Sequence, residues 1–121
     1  FAVETTLATK KLVPRVRRLR GEGYESHLFF MYLPTDDLAV ERVAARVRAG
    51  GHDVPEETVR RRFASGLKLF FEAYMPIFDS WRMYDNSKIE EPELIAHGRS
   101  GAPVCEVIPE LWEAICKRWR P

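Results

Sequence analysis

Cysteine is scarce in this sequence, and long apolar runs are missing. The chain has two cysteines, Cys105 and Cys116, which are too few for a disulfide framework and lack the paired spacing of a zinc site. Their apolar neighbours favour buried thiols, which suit a reducing cytoplasm. No apolar run reaches the roughly 18 residues that a membrane span needs, and no signal peptide is visible. The sequence therefore predicts a cytoplasmic protein without a membrane segment.

An excess of charge of one sign is missing as well. Nineteen Lys and Arg residues stand against 18 Asp and Glu residues, so the formal net charge is only +1 and nucleic acid is not an expected partner. The arginines are nevertheless clustered in three segments, 15–20, 42–48 and 60–62. The ordinary interpretation of such clusters is a solvated helix face, and it stays open for each of them.

Strand-like and helical segments alternate along the chain. Segment 1–6 is rich in β-branched and aromatic residues and predicts a short strand. The nearly all-apolar run 27–33 is typical of a central parallel strand that is covered on both faces. A third strand is expected at 80–84, and Thr35 is a candidate N-cap for the helix after the second strand. The remaining predicted elements are short strands near 94–96 and 104–107, and helices at 9–20, 38–47, 55–76 and 109–119. This order predicts a single α/β domain over residues 1–121 with a mostly parallel sheet.

Polar residues follow two of the predicted strands, at the edge where α/β sheets bind ligands. Glu4 and Thr6 end the first strand, where they could hydrogen-bond a sugar or orient the water of a bound metal. They could equally form the turn into the next helix, and both interpretations stay open. The third strand is followed by the turn-forming residues Asp85, Asn86 and Ser87.

A glycine-rich corner joins two arginine-bearing helices. The corner contains Gly50, Gly51 and His52, and it could allow the two helices to close on each other. Arginines on both sides of such a corner could clamp a phosphate, because the planar guanidinium makes bidentate contacts and stabilises a phosphoryl transition state. His52 could also shuttle protons, although a single loop histidine is more often structural.

The candidate clamp residues are Arg46 on the first helix and either Arg61 or Arg62 on the second. Helix phase leaves both of the latter open, while Arg60 is expected to face away. Arg42 shares a face with Arg46, and two cations four residues apart repel each other, so an anionic partner would relieve that repulsion. The alternative is that these helices simply pair with nearby glutamates, which are Glu41, Glu56 and Glu57.

These residues form a pattern that resembles the zeta-toxin-like family of bacterial P-loop kinases and predicted ATPases. The similarity covers nearly the whole chain in the right order, and its most specific part is Gly-Gly-His-x-Val-Pro followed by an arginine run. The matching stretches are 1–7, 23–24, 33–34, 42–47, 50–55, 61–63 and 84–87.

The resemblance implies a three-layer P-loop kinase sheet that works with ATP and Mg²⁺. In zeta toxins the phosphoryl group passes to a UDP-activated amino sugar. By similarity, Glu4 and Thr6 would bind the substrate, and Arg46 with Arg61 or Arg62 would belong to a lid over the transferred phosphate. The partners that the resemblance suggests are a small-molecule phosphate acceptor and an antitoxin protein. A sheet without its first strand would expose an edge, and such an edge could pair with a second copy of the chain.

By similarity, Asp85, Asn86 and Ser87 would lie near the nucleotide base.

One element of the family pattern is missing from the sequence. The phosphate-binding loop G-x-x-x-x-G-K-[ST] does not occur in the 121 residues. The first strand, this loop and the usual catalytic Asp would all precede Phe1, so the chain alone is expected to be inactive and to bind ATP weakly or not at all. Two alternatives remain: a non-catalytic α/β module that binds nucleotide or protein, and an ATPase of the same fold.

Overall fold

A computed structural model describes residues 2–4, 7 and 9–120, with side chains from residue 7 onward. It is an α/β structure with one mixed sheet. In chain order the elements are β1 (Ala2–Glu4), α1 (Val13–Gly21), β2 (His27–Tyr32), α2 (Asp36–Arg48), α3 (Glu56–Leu69), a π-helical turn (Phe70–Tyr74), β3 (Ser80–Asp85), β4 (Glu93–Arg99), β5 (Cys105–Glu106) and α4 (Pro109–Trp119).

The five strands lie side by side in chain order. β1 pairs with β2 and β2 with β3 in parallel, whereas β3–β4 and β4–β5 are antiparallel pairs. The prediction of a mostly parallel sheet therefore holds only for the first three strands. The physical reason is connection length: the segment 86–92 is too short for a crossover, so β4 must return alongside β3 in the opposite direction.

Burial along β2 alternates between its two faces. Leu28, Phe30 and Tyr32 are buried, whereas Phe29 and Met31 are only partly covered. Parallel crossovers are right-handed, and two successive crossovers that advance the sheet in one direction place their helices on the same face. The even-numbered positions of β2 accordingly share one core with α1, α3 and α4. The apolar run 27–33 predicted a strand that is covered on both faces. In the described residues, the face of β2 with Leu28, Phe30 and Tyr32 is covered more completely than the other face.

Aromatic rings form the centre of this core. Phe70 contacts Phe30 at a centroid distance of 5.0 Å and Trp81 at 5.4 Å. Trp81 stacks on Trp112 of α4 at 5.3 Å, and both tryptophans are buried core residues. Gly98 on β4 lies opposite Trp81, and a Cβ there would come within 2.7 Å of the indole nitrogen. The absence of a side chain at Gly98 therefore makes room for the indole ring.

The helix pair α2–α3 extends from the sheet edge. Thr35 caps α2 as predicted, since its hydroxyl accepts a hydrogen bond from the Leu38 amide at 3.2 Å. α2 has no buried residue, whereas α3 buries Val59, Gly66 and Leu67. α3 is thus anchored in the core, and α2 packs on the outside of the molecule against α3.

Candidate functional site

A pocket lies between the α2–α3 pair and the carboxyl ends of β2 and β3. Its volume is about 270 Å³. Its floor is apolar, and its polar groups come from three arginines and one asparagine. The lining residues are Phe30, Met31, Leu33, Ala39, Arg42, Val43, Arg46, Val54, Val59, Arg62, Phe63, Leu67 and Asn86. This is the edge of the sheet where α/β proteins bind their ligands.

Three guanidinium groups line this pocket. Arg42 and Arg46 lie one turn apart on α2, and Arg62 reaches the pocket from α3. Within the described part of the chain, none of the three has a carboxylate at ion-pairing distance. Their mutual repulsion is therefore not relieved by a neighbouring acid, and an anion in the pocket would relieve it.

The other two members of the arginine run on α3 lie outside the pocket. Arg60 pairs with Asp36 at 3.1 Å, Asp37 at 2.8 Å and Glu56 at 2.7 Å, and these carboxylates hold its pKa above the usual range. Arg61 is exposed and does not line the pocket. Of the two neighbours that helix phase left open, the structure brings Arg62 to the same pocket as Arg46.

Arg42 has a contact that sequence reasoning missed. Its Nη2 donates hydrogen bonds to the backbone carbonyls of Asn86 at 2.7 Å and Ser87 at 2.8 Å, which links α2 to the turn after β3. The four-residue spacing from Arg46 placed Arg42 on the pocket face. Its carbonyl partners lie more than forty positions away along the chain, so no local pattern could identify them.

The turn 85–87 is held by its own side chains. The Asp85 carboxylate accepts hydrogen bonds from the Ser87 backbone amide at 3.0 Å and from the Ser87 hydroxyl. The backbone amide of Asn86 donates to the Tyr32 carbonyl at 2.8 Å, which joins the turn to β2. Burial raises the pKa of the Tyr32 phenol, and the Asp85 charge raises it further. Asn86 alone of the three turn residues lines the pocket. Asp85 and Ser87 therefore shape the turn, and a contact of theirs with a nucleotide base stays a prediction.

The glycine corner sets the angle between α2 and α3. Gly50 has a φ of +98°, which favours glycine. The Gly51 amide donates to the Arg46 carbonyl at 2.7 Å, and a Cβ on Gly51 would approach that oxygen to 2.9 Å. His52 is exposed and does not line the pocket. The corner thus supports the backbone that carries Arg46 and contributes no lining group before Val54.

The predicted substrate-binding residues at the first strand are only partly described. Glu4 is the last residue of β1, and its backbone lies in register with Phe29 of β2. Its side chain and the whole of Thr6 lie outside the described residues. Their predicted roles therefore stay predictions.

Comparisons with known proteins give one partial similarity. A protein of Haemophilus influenzae described as uncharacterized is 29% identical to this chain over 63 residues. The matched segment is 52% of this chain and 45% of the relative, so it spans less than half of that protein's length. No family model matches the chain, and no solved structure matches it.

Two further findings concern the described residues. Their helices include none that is both long and apolar enough to cross a membrane. In that same part of the chain, no group of three or more His, Cys, Asp or Glu side chains is placed to hold a metal ion.

Proposed function

We propose that the arginine-lined pocket binds a phosphoryl group, and that this chain is part of an ATP-dependent small-molecule kinase of the zeta-toxin type. The observation that carries this proposal is the convergence of Arg42, Arg46 and Arg62 on one pocket without a carboxylate partner in the described chain. Guanidinium groups suit phosphate because they are planar, always charged and bidentate. The acceptor that the family resemblance suggests is a UDP-activated amino sugar.

Arg46 and Arg62 are the residues that would contact the transferred phosphoryl group. They come from α2 and α3, so they can approach one group from two directions. Charge grows on the phosphoryl oxygens in the transition state, and fixed cations stabilise that charge without reorganisation. Their contribution should therefore appear in turnover more than in nucleotide affinity.

ATP and Mg²⁺ make different demands on this pocket. The arginines fit the phosphates of ATP, and bound ATP would supply the group that is transferred. No carboxylate lines the pocket within the described residues, so the ligands of Mg²⁺ would come from elsewhere. The chain would work together with a phosphate-binding loop of the type G-x-x-x-x-G-K-[ST], in a P-loop kinase sheet, and that loop is not among these 121 residues.

A second candidate is a non-catalytic module that binds an anionic ligand or a protein through the same arginines. It is supported by the same observation, since arginines without a carboxylate partner among the described residues attract any anion. An ATPase of the same fold would use the arginines as the kinase does, but would transfer the phosphoryl group to water. Only the kinase and the ATPase require turnover of ATP, and only the kinase requires an acceptor molecule. These requirements separate the three functions by assay.

The first test is a titration of the 121-residue chain with pyrophosphate and with ATP, followed by NMR. Because backbone amides and a lysine of the phosphate loop supply most triphosphate affinity, we expect weak, saturable binding in the millimolar range. Arg46→Ala and Arg62→Ala should each weaken pyrophosphate binding by about tenfold, the worth of one charged hydrogen bond. Arg61→Ala is the matched control and should leave binding unchanged.

Absence of saturable binding, or an equal loss in Arg61→Ala, would contradict a phosphate site in this pocket. Micromolar binding of ATP would contradict the view that a separate phosphate loop is needed.

A further inference from the structure

The α2–α3 pair is held together by its own contacts. Arg60 of α3 joins the Asp36 and Asp37 carboxylates at the start of α2 to Glu56 at the start of α3. At the other end of α2, the Gly51 amide bonds the Arg46 carbonyl, which closes the end of α2 itself. The Arg60 contacts lie within the pair, so they hold α2 to α3 without fixing α2 to the sheet.

α2 makes few contacts with the sheet. α2 buries no residue. Among the described residues, Arg42 is the one side chain of α2 that hydrogen-bonds to a strand or to the turn after it, and its acceptors are the Asn86 and Ser87 carbonyls. α3, by contrast, continues into the core through the π-helical turn that carries the buried Phe70. Motion of α2 away from the sheet would therefore break the two Arg42 hydrogen bonds and the Arg60 ion pairs to α3, but little buried packing.

We propose that Arg42 is a positioning residue that latches α2 over the pocket before any ligand binds. The assignment rests on the proposed function in one respect, that the pocket under α2 is a phosphate site. Both acceptors are neutral carbonyls, so the latch leaves the positive charge of Arg42 uncompensated. A guanidinium has five N–H donors, and the latch engages one of its nitrogens. Arg42 can therefore hold the turn and still attract an anion, while Arg46, one turn along the same helix, is kept at the pocket.

The test is amide hydrogen exchange, read by mass spectrometry, on the 121-residue chain without ligand. The variants are Arg42→Ala, Arg42→Lys and the control Arg48→Ala, which removes an exposed arginine from the same helix. α2 buries no residue, so without the latch it should unfold locally more often. Exchange of the α2 amides should then be faster by on the order of tenfold, because charged hydrogen bonds contribute at that level. Exchange in β2 and β3 should not change. Lysine can still donate to the carbonyls, so Arg42→Lys should recover part of the protection.

A parallel titration with pyrophosphate distinguishes the latch from the phosphate site. Opening of α2 reduces the fraction of molecules that can bind, so affinity in Arg42→Ala should fall along with protection, and Arg42→Lys should recover part of both. If wild-type protein does not bind pyrophosphate while α2 exchange still responds to Arg42→Ala, the latch stands and the phosphate site fails.

Three outcomes would overturn the latch. The first is equal α2 exchange in Arg42→Ala and Arg48→Ala. The second is faster exchange throughout β2 and β3, which would make Arg42 a general stability residue. The third is loss of pyrophosphate binding without any change in exchange, which would make Arg42 a direct ligand of the anion and nothing more.

Discussion

Neighbouring arginines on α3 have sharply different surroundings. Arg60 forms ion pairs with three carboxylates. Arg61 and Arg62 are both exposed, but only Arg62 lines the pocket. The sequence predicted that an arginine in this run would meet Arg46 and that Arg60 would face elsewhere. It left Arg61 and Arg62 open because successive residues on a helix differ by about 100° in direction, and the start of α3 decides which one points inward.

At the residue scale, Gly98 is a test of the core. Its Cβ in Gly98→Ala would lie 2.7 Å from the Trp81 indole nitrogen, within a ring stack that includes Trp112. Forced overpacking of a core costs about 1–3 kcal/mol, so the free energy of unfolding should fall by that amount. Urea unfolding followed by tryptophan fluorescence measures the change.

The control for this substitution is Gly21→Ala. No atom lies within 4 Å of a Cβ at Gly21, which ends α1, so this variant should be neutral or slightly more stable. If Gly98→Ala is as stable as wild type, Trp81 does not require the absence of a side chain on β4.

At the element scale, the order of strands and helices could be predicted from the sequence. The antiparallel direction of β4 and β5 could not. The N-cap Thr35 and the short strands near 94–96 and 104–107 were predicted and are confirmed, because caps and strand patterns are local signals. α1 begins at Val13 rather than near residue 9, since Pro14 is accommodated only in the first helical turn. Strand direction after β3 depends on how the chain returns, which the apolar pattern does not encode.

The candidate site, like the fold, could be predicted from the sequence in part. Its arginines and Asn86 were candidates because the pattern placed them on helices and turns at one sheet edge. The Arg42 latch could not be predicted, because it joins a side chain to backbone carbonyls more than forty positions away along the chain.

A partly exposed group of contacts at the opposite end of the sheet joins α1 to the loops before β2 and β3. Asp79, just before β3, accepts a hydrogen bond from the Ser26 amide at 2.7 Å and pairs with Arg20 of α1 at 2.7 Å. The Ser26 amide and, to a lesser extent, the hydroxyl of Ser26 and the charge of Arg20 lower the pKa of Asp79 below its ordinary value. The ionised form is therefore the one that the folded state favours.

The pH dependence follows from that lowered pKa. The stabilisation by Asp79 is present above its unfolded pKa and is lost as the pH falls through the lower folded value. Asp79→Asn should cost on the order of 1 kcal/mol at pH 7, and the difference from wild type should shrink below about pH 4. Urea unfolding of both proteins across this range measures it. A difference that stays constant with pH would show that the Asp79 charge does not stabilise the fold.

At the scale of the whole molecule, the sheet topology places the α2–α3 pair and the pocket at the same edge of the sheet. The three parallel strands end at one edge, and the connection between β2 and β3 carries α2 and α3 over that edge. The pocket therefore lies where the chain direction brings strand ends, a turn and two arginine-bearing helices together. The same topology explains why Phe29 and Met31 are only partly covered. Both parallel connections pass over the opposite face of the sheet, so no connecting helix covers the face on which these two residues lie.

The most direct test of the proposed function is phosphoryl transfer from ATP by the complete natural protein, with kcat and nucleotide affinity measured separately. Arg46→Ala and Arg62→Ala should each lower kcat by at least about 100-fold, because arginine fingers contribute ~10³-fold or more. Nucleotide affinity should fall by no more than about tenfold, the worth of one charged hydrogen bond, and thermal stability should stay near that of wild type. Arg61→Ala should stay within a few-fold of wild type. If all three variants keep kcat within a few-fold of wild type, the arginines form a solvated helix surface and the proposed role of the pocket is contradicted.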